Sequence, residues 1–222
     1  MLIDNFCNTD FECFKSPNGN PEIRFAPFSA ALQSDLTGPV ELDKYSCINR
    51  STVNSYVGVG LHSYISDSII GKYSLIGSRV SIGGFEHPKN WLSIGAFQWG
   101  QSIENWNLEE ELSVHFKKFK KPDPLITKIM EDCWIGNNAV VKAGVVISPG
   151  AIIGSGSIVT KNVPPYAIAV GNPARIIGYR FSKKIIKRLL KVEWWNFDLQ
   201  VLIGVNFEDI NAALDYFESL SA

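Results

Sequence analysis

Residues 129–164 divide into six consecutive hexads, IMEDCW, IGNNAV, VKAGVV, ISPGAI, IGSGSI and VTKNVP. Each hexad starts with an aliphatic residue, and each fifth position holds a small or β-branched one. The positions between them are rich in Gly, Asn, Ser and Pro. A period of six fits neither a single helix nor a flat strand, but it suits a chain that turns a corner every six residues and buries the first position inside stacked coils. The stretch therefore predicts a parallel β-helix.

The same register continues upstream of the unbroken run. The aliphatic first positions there are Leu36, Leu42, Ile48, Val53, Val59, Ile65, Ile70, Ile76 and Ile82. The intervals 48–53 and 65–70 are five residues long, which predicts one tighter corner in each coil. An ordinary sheet protein with many short strands is the alternative. One register held through six hexads favours the β-helix, in which several coils together form the core.

Composition limits the class of protein. The 222 residues form one domain, or one domain with appendages, and the 45% hydrophobic content suffices for a core. A net charge of −1 gives no general electrostatic reason to bind nucleic acid or an anionic membrane. The start, MLIDNFCNTDF, has no long apolar run, so we expect neither a secretory signal nor a membrane span. The four cysteines, Cys7, Cys13, Cys47 and Cys133, lack close metal-ligand spacing, so we expect free thiols and a cytoplasmic protein.

The pattern divides the chain into segments. We expect an N-terminal segment over 1–35, the β-helix over 36–83 and 129–164, an inserted active-site loop over 84–128, and a coil end with helices over 165–222. Loops this long inside a compact repeat are uncommon and usually functional. The insertion is rich in large rings, which either close over a ligand or pack the loop onto its neighbour. These rings include Trp91, Phe97, Trp99 and Trp106.

The C-terminal segment shows helical periodicity. Apolar residues at 185, 186, 189 and 190 predict an amphipathic helix that begins near Phe181, with basic residues on its wet face. A second helix is predicted from about Phe207 to Leu220, with Ile210, Ala213, Leu214 and Phe217 inward.

Four phrases, taken in order, resemble one known family. They are Trp134-Ile135-Gly136, the VTKNVPP of 159–165, the GNPAR of 171–175, and the stretch from Tyr179-Arg180-Phe181 to Trp194-Trp195. Over residues 36–200 they are similar to the hexapeptide-repeat acyltransferases. The greatest similarity is to the xenobiotic branch, which includes chloramphenicol and streptogramin A acetyltransferases and sugar O-acetyltransferases of polysaccharide biosynthesis. The resemblance implies a left-handed β-helix, a homotrimer with active sites between subunits, acetyl-CoA as acyl donor, and no metal.

The resemblance implies one catalytic histidine. His87 stands in a Glu-His-Pro context, similar to the catalytic His-Pro segment of the family. Acyl transfer from a thioester needs a base for the acceptor proton and donors for the oxyanion. A neutral imidazole near pH 7 can take that proton. We interpret His87 as the general base, with a structural loop histidine as the alternative, and Glu86 as the carboxylate that orients its ring.

The donor positions follow from the same resemblance. The residues that match the family's coenzyme contacts are Trp134, Asn137, Ser155, Thr160, Lys161 and Arg175. Small residues on either side of Ser155 would allow a thin pantetheine arm to approach the backbone, while Lys161 and Arg175 can pair with phosphates. A plain corner of the β-helix is the alternative role for Thr160 and Lys161, and coil packing is the alternative for Trp134.

The acceptor is the least determined part. Asn90, Trp91 and Phe97 stand where family members place other residues around the acceptor, so we expect them to bind the substrate. We expect a hydroxyl on a sugar or similar small metabolite. The alternatives are N-acylation of a nucleotide-linked amino sugar and acetylation of an antibiotic such as streptogramin A or chloramphenicol.

Two hypotheses from other classes remain open. Zinc carbonic anhydrases are also built on left-handed β-helices and need three imidazoles. This chain has three histidines, but they are 25 and 28 residues apart, without a short pair. A catalytically silent scaffold is the other hypothesis. His62 and His115 are interpreted as surface residues, and the basic run over 116–121 as a solvated edge, with a phosphate-binding patch as its alternative.

Overall fold

The computed structural model of the chain describes residues 3–6, 23–99, 111, 115 and 123–220. The first eleven strands are β1 Ile3–Phe6, β2 Ile23–Phe25, β3 Ala30–Leu36, β4 Val40–Leu42, β5 Cys47–Asn49, β6 Thr52–Val53, β7 Val57–Val59, β8 Tyr64–Ser66, β9 Ser68–Ile70, β10 Leu75–Ile76 and β11 Ser81–Gly83. The remaining strands are β12 Thr127–Ile129, β13 Trp134–Ile135, β14 Val140–Val141, β15 Val146–Ile147, β16 Ile152–Ile153, β17 Ile158–Val159, β18 Ala167–Val170 and β19 Arg175–Tyr179. Helices are α1 Lys183–Val192, α2 Leu199–Leu202 and α3 Ile210–Leu220, with 3₁₀ turns at Ala96–Trp99 and Trp194–Asn196.

The strands form the three faces of a coiled prism. Face A contains residues 30–32 of β3, then β5, β8, β11, β14 and β17. Face B contains β2, β4, β7, β10, β13, β16 and β18, and face C contains residues 35–36 of β3, then β6, β9, β12 and β15. Neighbouring strands within each face run parallel, except at the ends, where β1 pairs with β3 and β19 with β18 antiparallel. The parallel β-helix of about seven turns is therefore confirmed.

The hexad register is also the register of the core. The six first-position residues from Ile129 to Val159 are each at most 1% exposed. Ile147 pairs with Ile129 above it and bridges to Val163 below it. Each inward side chain is therefore covered by the same position of the adjacent coils, which is how repeats bury a continuous core.

The described β-helix extends beyond the predicted boundaries at both ends. Phe25 pairs with Leu42 and Ala31 with Ile48, so the first coil begins in β2, before residue 36. The inward positions here are held by the aromatic Phe25 and the small Ala31. Neither stands out in a period of large aliphatic residues, so the sequence pattern did not include them. At the other end, β18 pairs with β16 beyond residue 164.

The five-residue steps are explained by serine ladders. Ser34, Ser51 and Ser68 are buried and 17 residues apart, one in each early coil. Each hydroxyl donates to the carbonyl two residues earlier, and the Ser51 amide donates to Ser34 Oγ at 3.2 Å. The Ser68 amide repeats the contact with Ser51 Oγ at 3.1 Å. Buried polar groups at the tight corner are thereby satisfied without a sixth residue.

Both predicted C-terminal helices are present with shorter bounds. The Ser182 side chain caps α1, and Asp209 Oδ1 accepts from the backbone amide of Asn211 at 2.9 Å just before α3. Arg188 joins the two helices by ion pairs to Asp215 at 2.5 Å and Glu218 at 2.8 Å. In the part of the chain that the structure describes, no helix has the length and apolarity that crossing a bilayer requires.

Candidate functional site

The inserted loop leaves and rejoins the β-helix at one corner. Gly83 has φ +74°, and a Cβ there would lie 2.0 Å from the Ser66 carbonyl oxygen, so glycine is required where the chain departs. The next residue after Ser66 is Asp67, whose carbonyl accepts from the Thr127 amide at 3.0 Å where the chain returns. Arg50 holds the buried Asp67 carboxylate with two bonds of 2.8 and 2.7 Å. This bidentate pair fixes the base of the loop.

His87 projects from the first described part of this loop. Its Nδ1 is hydrogen-bonded to the Ile94 carbonyl, and the imidazole is exposed. The ring edge packs near Phe85 and Trp99, with centroid distances of 5.3 and 5.8 Å. A carbonyl only accepts hydrogen bonds, so this contact places the proton of a neutral imidazole on Nδ1 and leaves the Nε2 lone pair free. An imidazole held in this way can accept a proton at Nε2.

Glu86, expected to orient the imidazole of His87, is paired with two lysines. Its carboxylate lies 3.2 Å from Lys142 Nζ and 3.6 Å from Lys89 Nζ. The hydrogen bond from Lys142 lowers the pKa of Glu86, so the carboxylate stays charged. In the described part of the loop, the Ile94 carbonyl holds the His87 ring instead. A backbone carbonyl leaves no trace in a sequence pattern, which is why sequence reasoning missed it.

Aromatic rings form a wall beside His87. Trp99 is buried and lies 5.6 Å from Phe85 and 5.9 Å from Trp91, between ring centroids. Asn90 is exposed, and Phe97 is half-buried in the 3₁₀ turn that also contains Trp99. Trp99 is thus central to the cluster, although sequence reasoning did not select it for the site. The ring of Trp106, the basic run over 116–121, Cys7 and Cys13 lie outside the described residues.

Asn137 and Ser155 occupy the corner between faces B and A on consecutive coils. Asn137 Oδ1 accepts from the Ser78 amide at 2.8 Å, and its carbonyl accepts from the Gly156 amide at 2.8 Å. A Cβ on Gly136 would lie 2.8 Å from Ser155 Oγ. The coils therefore approach closely here, and the corner exposes small polar groups and backbone, which can serve a thin ligand.

Thr160 and Lys161 lie at the opposite edge of face A. They follow β17 and are exposed. The Lys142 amide donates to the Val159 carbonyl at 3.0 Å, so Thr160 lies one coil from the lysine that pairs with Glu86. Glu86 at the start of the loop is therefore connected through Lys142 to the coil that contains Thr160 and Lys161.

Arg175 and Trp134 complete the expected donor set. Arg175 begins β19, is exposed, and donates to the Ala174 carbonyl at 2.9 Å. Trp134 is 54% exposed on face B. In the described part of one chain, His87 contacts Ile94, Phe85 and Trp99, and none of these belongs to the expected donor set. The predicted loop residues around His87 and the predicted donor residues on the coils therefore form separate groups in the structure of one chain.

Cys133 and His62 are the other titratable groups considered as site candidates. Burial raises the pKa of the Cys133 thiol to about 12, which makes it a poor nucleophile. His62 stacks on Tyr45 at a centroid distance of 4.8 Å. Within the described ranges, no three His, Cys, Asp or Glu side chains are grouped so that they could hold a metal ion.

Known proteins resemble this chain over its repeats. Residues 126–161 match the family model described as bacterial transferase hexapeptide (six repeats). Chloramphenicol acetyltransferase of Klebsiella aerogenes is 42% identical over 135 residues, which are 60% of this chain and 60% of that protein. A probable macrolide acetyltransferase of Lysinibacillus sphaericus is 52% identical over 70 residues, 32% of this chain and 39% of that protein. The chain thus spans about three fifths of the length of the first relatives that it matches.

The fold is also known from solved structures. AntD, an N-acyltransferase from Bacillus cereus solved in complex with dTDP and 3-hydroxybutyryl-CoA, superposes with a TM-score of 0.52 at 16% identity. The superposition covers 75% of this chain and 86% of AntD. At this identity the likeness shows the fold alone. The repeats and the sequence relatives together confirm the resemblance of this chain to the hexapeptide-repeat acyltransferases.

Proposed function

We propose that the protein transfers an acetyl group from acetyl-CoA to a hydroxyl of a sugar or similar small acceptor. The observation that carries this proposal is the exposed His87 imidazole, with Nδ1 bound to the Ile94 carbonyl and Nε2 free. The relatives at 42% and 40% identity are chloramphenicol acetyltransferases, which supports an acetyl donor.

The chemistry assigned to His87 is direct transfer. Nε2 removes the proton of the acceptor hydroxyl while its oxygen attacks the thioester carbonyl. The tetrahedral intermediate then expels the thiolate, and the imidazolium returns the proton to that sulfur. The imidazolium is held by the Ile94 carbonyl, which accepts from Nδ1 throughout. No covalent enzyme intermediate is required, in keeping with the buried and poorly nucleophilic Cys133.

The donor is assigned to the coils. In this proposal, the pantetheine arm follows the corner of Asn137 and Ser155, where the close coil approach exposes backbone. Lys161 and Arg175 are exposed cations that can pair with phosphates. Thr160 and Trp134 extend this surface on faces A and B.

The separation of the two groups favours an assembly. In the described part of one chain, the contacts of His87 are with residues of its own loop and not with the expected donor residues, yet the reaction needs the thioester beside Nε2. We therefore propose that a second copy supplies the donor groove, in a homotrimer with sites between subunits. In this arrangement, the loop of one copy meets the donor corner of its neighbour.

The aromatic wall supports an acceptor with apolar faces. Trp99 lies beside the His87 ring, and Trp91 packs against Trp99. Rings of this kind can bind the C–H faces of sugars or the flat ring of an antibiotic. Chloramphenicol, a hydroxyl-bearing aromatic molecule, is accordingly the first specific acceptor to compare with sugars. N-acylation of a nucleotide-linked amino sugar is the third acceptor class to include, since AntD shares the fold.

The proposal is tested by an acceptor screen. Purified protein with acetyl-CoA is offered chloramphenicol, a panel of sugars and a nucleotide-linked amino sugar, and free CoA thiol is measured together with product mass. The expected result is acceptor-dependent thiol release with a hydroxyl acceptor, lost in His87→Ala. Release with amine acceptors alone would contradict O-transfer, and absence of acetyl-CoA binding would favour the silent scaffold.

A further inference from the structure

Both ends of the inserted loop are hydrogen-bonded to one dipeptide of the coils, Ser66-Asp67. Where the chain departs, Gly83 pairs with Ser66 on face A, and the Gly84 amide donates to the Ser66 carbonyl at 3.4 Å. Where the chain returns, the Thr127 amide donates to the Asp67 carbonyl at 3.0 Å. The position of the loop relative to the coils therefore depends on how firmly this dipeptide is held.

The side chains of the dipeptide are clamped by Arg50 from the preceding coil. The Asp67 carboxylate is 2% exposed and accepts from Arg50 Nε at 2.8 Å and from Arg50 Nη2 at 2.7 Å. The Ser66 hydroxyl donates to the same carboxylate at 2.7 Å and accepts from Arg50 Nη2 at 3.1 Å. Because a guanidinium is a planar, forked donor, it fixes the direction of these side chains as well as their distance.

The departing chain begins with two glycines, which have no side chains to fix it. Gly83 and Gly84 have φ of +74° and +102°, and a Cβ on Gly84 would meet no described atom within 4 Å. His87 follows three residues after Gly84. A small rotation at the glycines would therefore displace the imidazole, and a displacement of about 1 Å can cost a reaction about a hundredfold in rate.

A similar ion pair lies at another corner, away from the loop. Asp132 has φ +54°, close to the +49° of Asp67, and its carboxylate accepts from Arg180 Nη1 at 2.9 Å. Arg180 directly follows β19, so this pair attaches the C-terminal segment to the coils. The two pairs are alike in chemistry and differ in the segment that they hold. Comparing them separates an effect on stability from an effect on the loop.

We propose that Arg50 and Asp67 are positioning residues for His87, which hold the Ser66-Asp67 dipeptide and thereby fix the imidazole relative to the coils. This inference rests on the proposed function, because it assigns the pair a role in turnover as well as in the fold. The pair acts through the loop, whereas the donor is assigned to the coils. Its loss should therefore lower kcat and leave acetyl-CoA binding unchanged.

The kinetic test compares Asp67→Asn with Asp132→Asn, which removes the matched pair. Asp67→Asn should lower kcat about tenfold to a hundredfold with a Kd for acetyl-CoA within about twofold of the wild type, whereas Asp132→Asn should change neither by more than about twofold. Thermal unfolding gives the stability of each variant. Arg50→Gln is the second variant, because Arg50 is partly exposed and its loss removes the same pair. Combining Arg50→Gln with Asp67→Asn should lower kcat no further than the larger single loss, since the two residues act as one unit.

A second measurement needs neither donor nor acceptor. Carbon-13 NMR titration of the Glu86 carboxylate shows whether the start of the loop stays beside Lys142, since the hydrogen bond from Lys142 lowers the pKa of Glu86. In Asp67→Asn and in Arg50→Gln this pKa should rise towards the ordinary value of a glutamate. In Asp132→Asn it should stay lowered, as in the wild type.

Three results would overturn the proposal. They are an unchanged pKa of Glu86 in Asp67→Asn, an unchanged kcat in folded Asp67→Asn, and an equal loss of kcat in Asp67→Asn and Asp132→Asn. A wild-type protein that transfers no acetyl group would contradict the proposed function instead. The Glu86 titration would then decide separately whether the pair holds the loop.

Discussion

In the coils from Ile129 to Val159, each first-position side chain is at most 1% exposed, whereas His87, in the loop inserted into the same β-helix, is exposed. The coils bury small aliphatic groups in a repeated register. The loop gathers large rings around one imidazole, with a buried Trp99 between Phe85 and Trp91. The function proposed above divides along the same line: the coils would provide a rigid donor surface and the loop would provide the catalytic base.

The largest expected effect is on turnover. His87→Ala should lower kcat by about 10²–10⁴-fold, because a general base acts in the transition state. Steady-state kinetics with an acceptor from the screen measures this. His62→Ala is the matched control, since His62 is also exposed and stacks on Tyr45 at a corner of the β-helix. Near wild-type turnover of His87→Ala would remove the imidazole from the reaction.

The coil side of the comparison is tested at Ile147. Its side chain is fully buried, so Ile147→Ala should lower the free energy of unfolding by about 2–5 kcal/mol. Urea unfolding followed by circular dichroism measures the loss. Val146 precedes it on the same strand and is only half-buried, so Val146→Ala should cost clearly less. Equal losses at the two positions would mean that the inward register does not control stability.

The donor surface is tested at Arg175. A phosphate contact made equally in ground and transition states should affect affinity alone, so Arg175→Ala should raise KM for acetyl-CoA about tenfold to a hundredfold and leave kcat nearly unchanged. The preference for acetyl-CoA over its 3′-dephospho analogue should largely disappear. Arg24 is also an exposed arginine and lies on face B, so Arg24→Ala serves as the control. A raised acceptor KM with unchanged donor affinity would assign Arg175 to the acceptor instead.

The smallest expected effect concerns the ion pair between Glu86 on the loop and Lys142 on the coils. Lys142 lowers the pKa of Glu86, so the charged pair stabilises the fold above the usual pKa of a glutamate, and this stabilisation is lost as pH falls through the lowered value. The difference in Tm between wild type and Glu86→Gln should therefore be positive near neutral pH and shrink from about pH 6 to about pH 3. Glu41→Gln, exposed on face B, is the control. A difference that grows on acidification would contradict the pairing.

The coils could be predicted because their inward positions are local and periodic. The inward positions equivalent to Ile147 are visible in the sequence as a period of large aliphatic residues. Phe25 and Ala31 occupy inward positions of the same register, but an aromatic and a small residue do not stand out in that period. The loop has no period. His87 could be selected from its Glu-His-Pro context, but its partner could not, since the Ile94 carbonyl lies seven residues away and any residue type could supply it.

The ion pairs were equally hidden from the sequence. Glu86 was expected beside the imidazole because it is adjacent in sequence, yet its carboxylate meets Lys142, which comes from a coil 56 residues later. The Arg50 and Asp67 pair, 17 residues apart, depends on the length of a coil. Which side chains meet between coils depends on how the coils stack. These contacts can therefore be assigned only after the stacking is known.

The division of labour itself is tested most directly by calorimetric titration of acetyl-CoA into His87→Ala. If the coils bind the donor and the loop performs the chemistry, the variant should bind acetyl-CoA with a Kd within about twofold of the wild type, because the imidazole acts in the transition state rather than in donor binding. A loss of donor affinity as large as the loss of turnover would contradict the account and place His87 in the donor site.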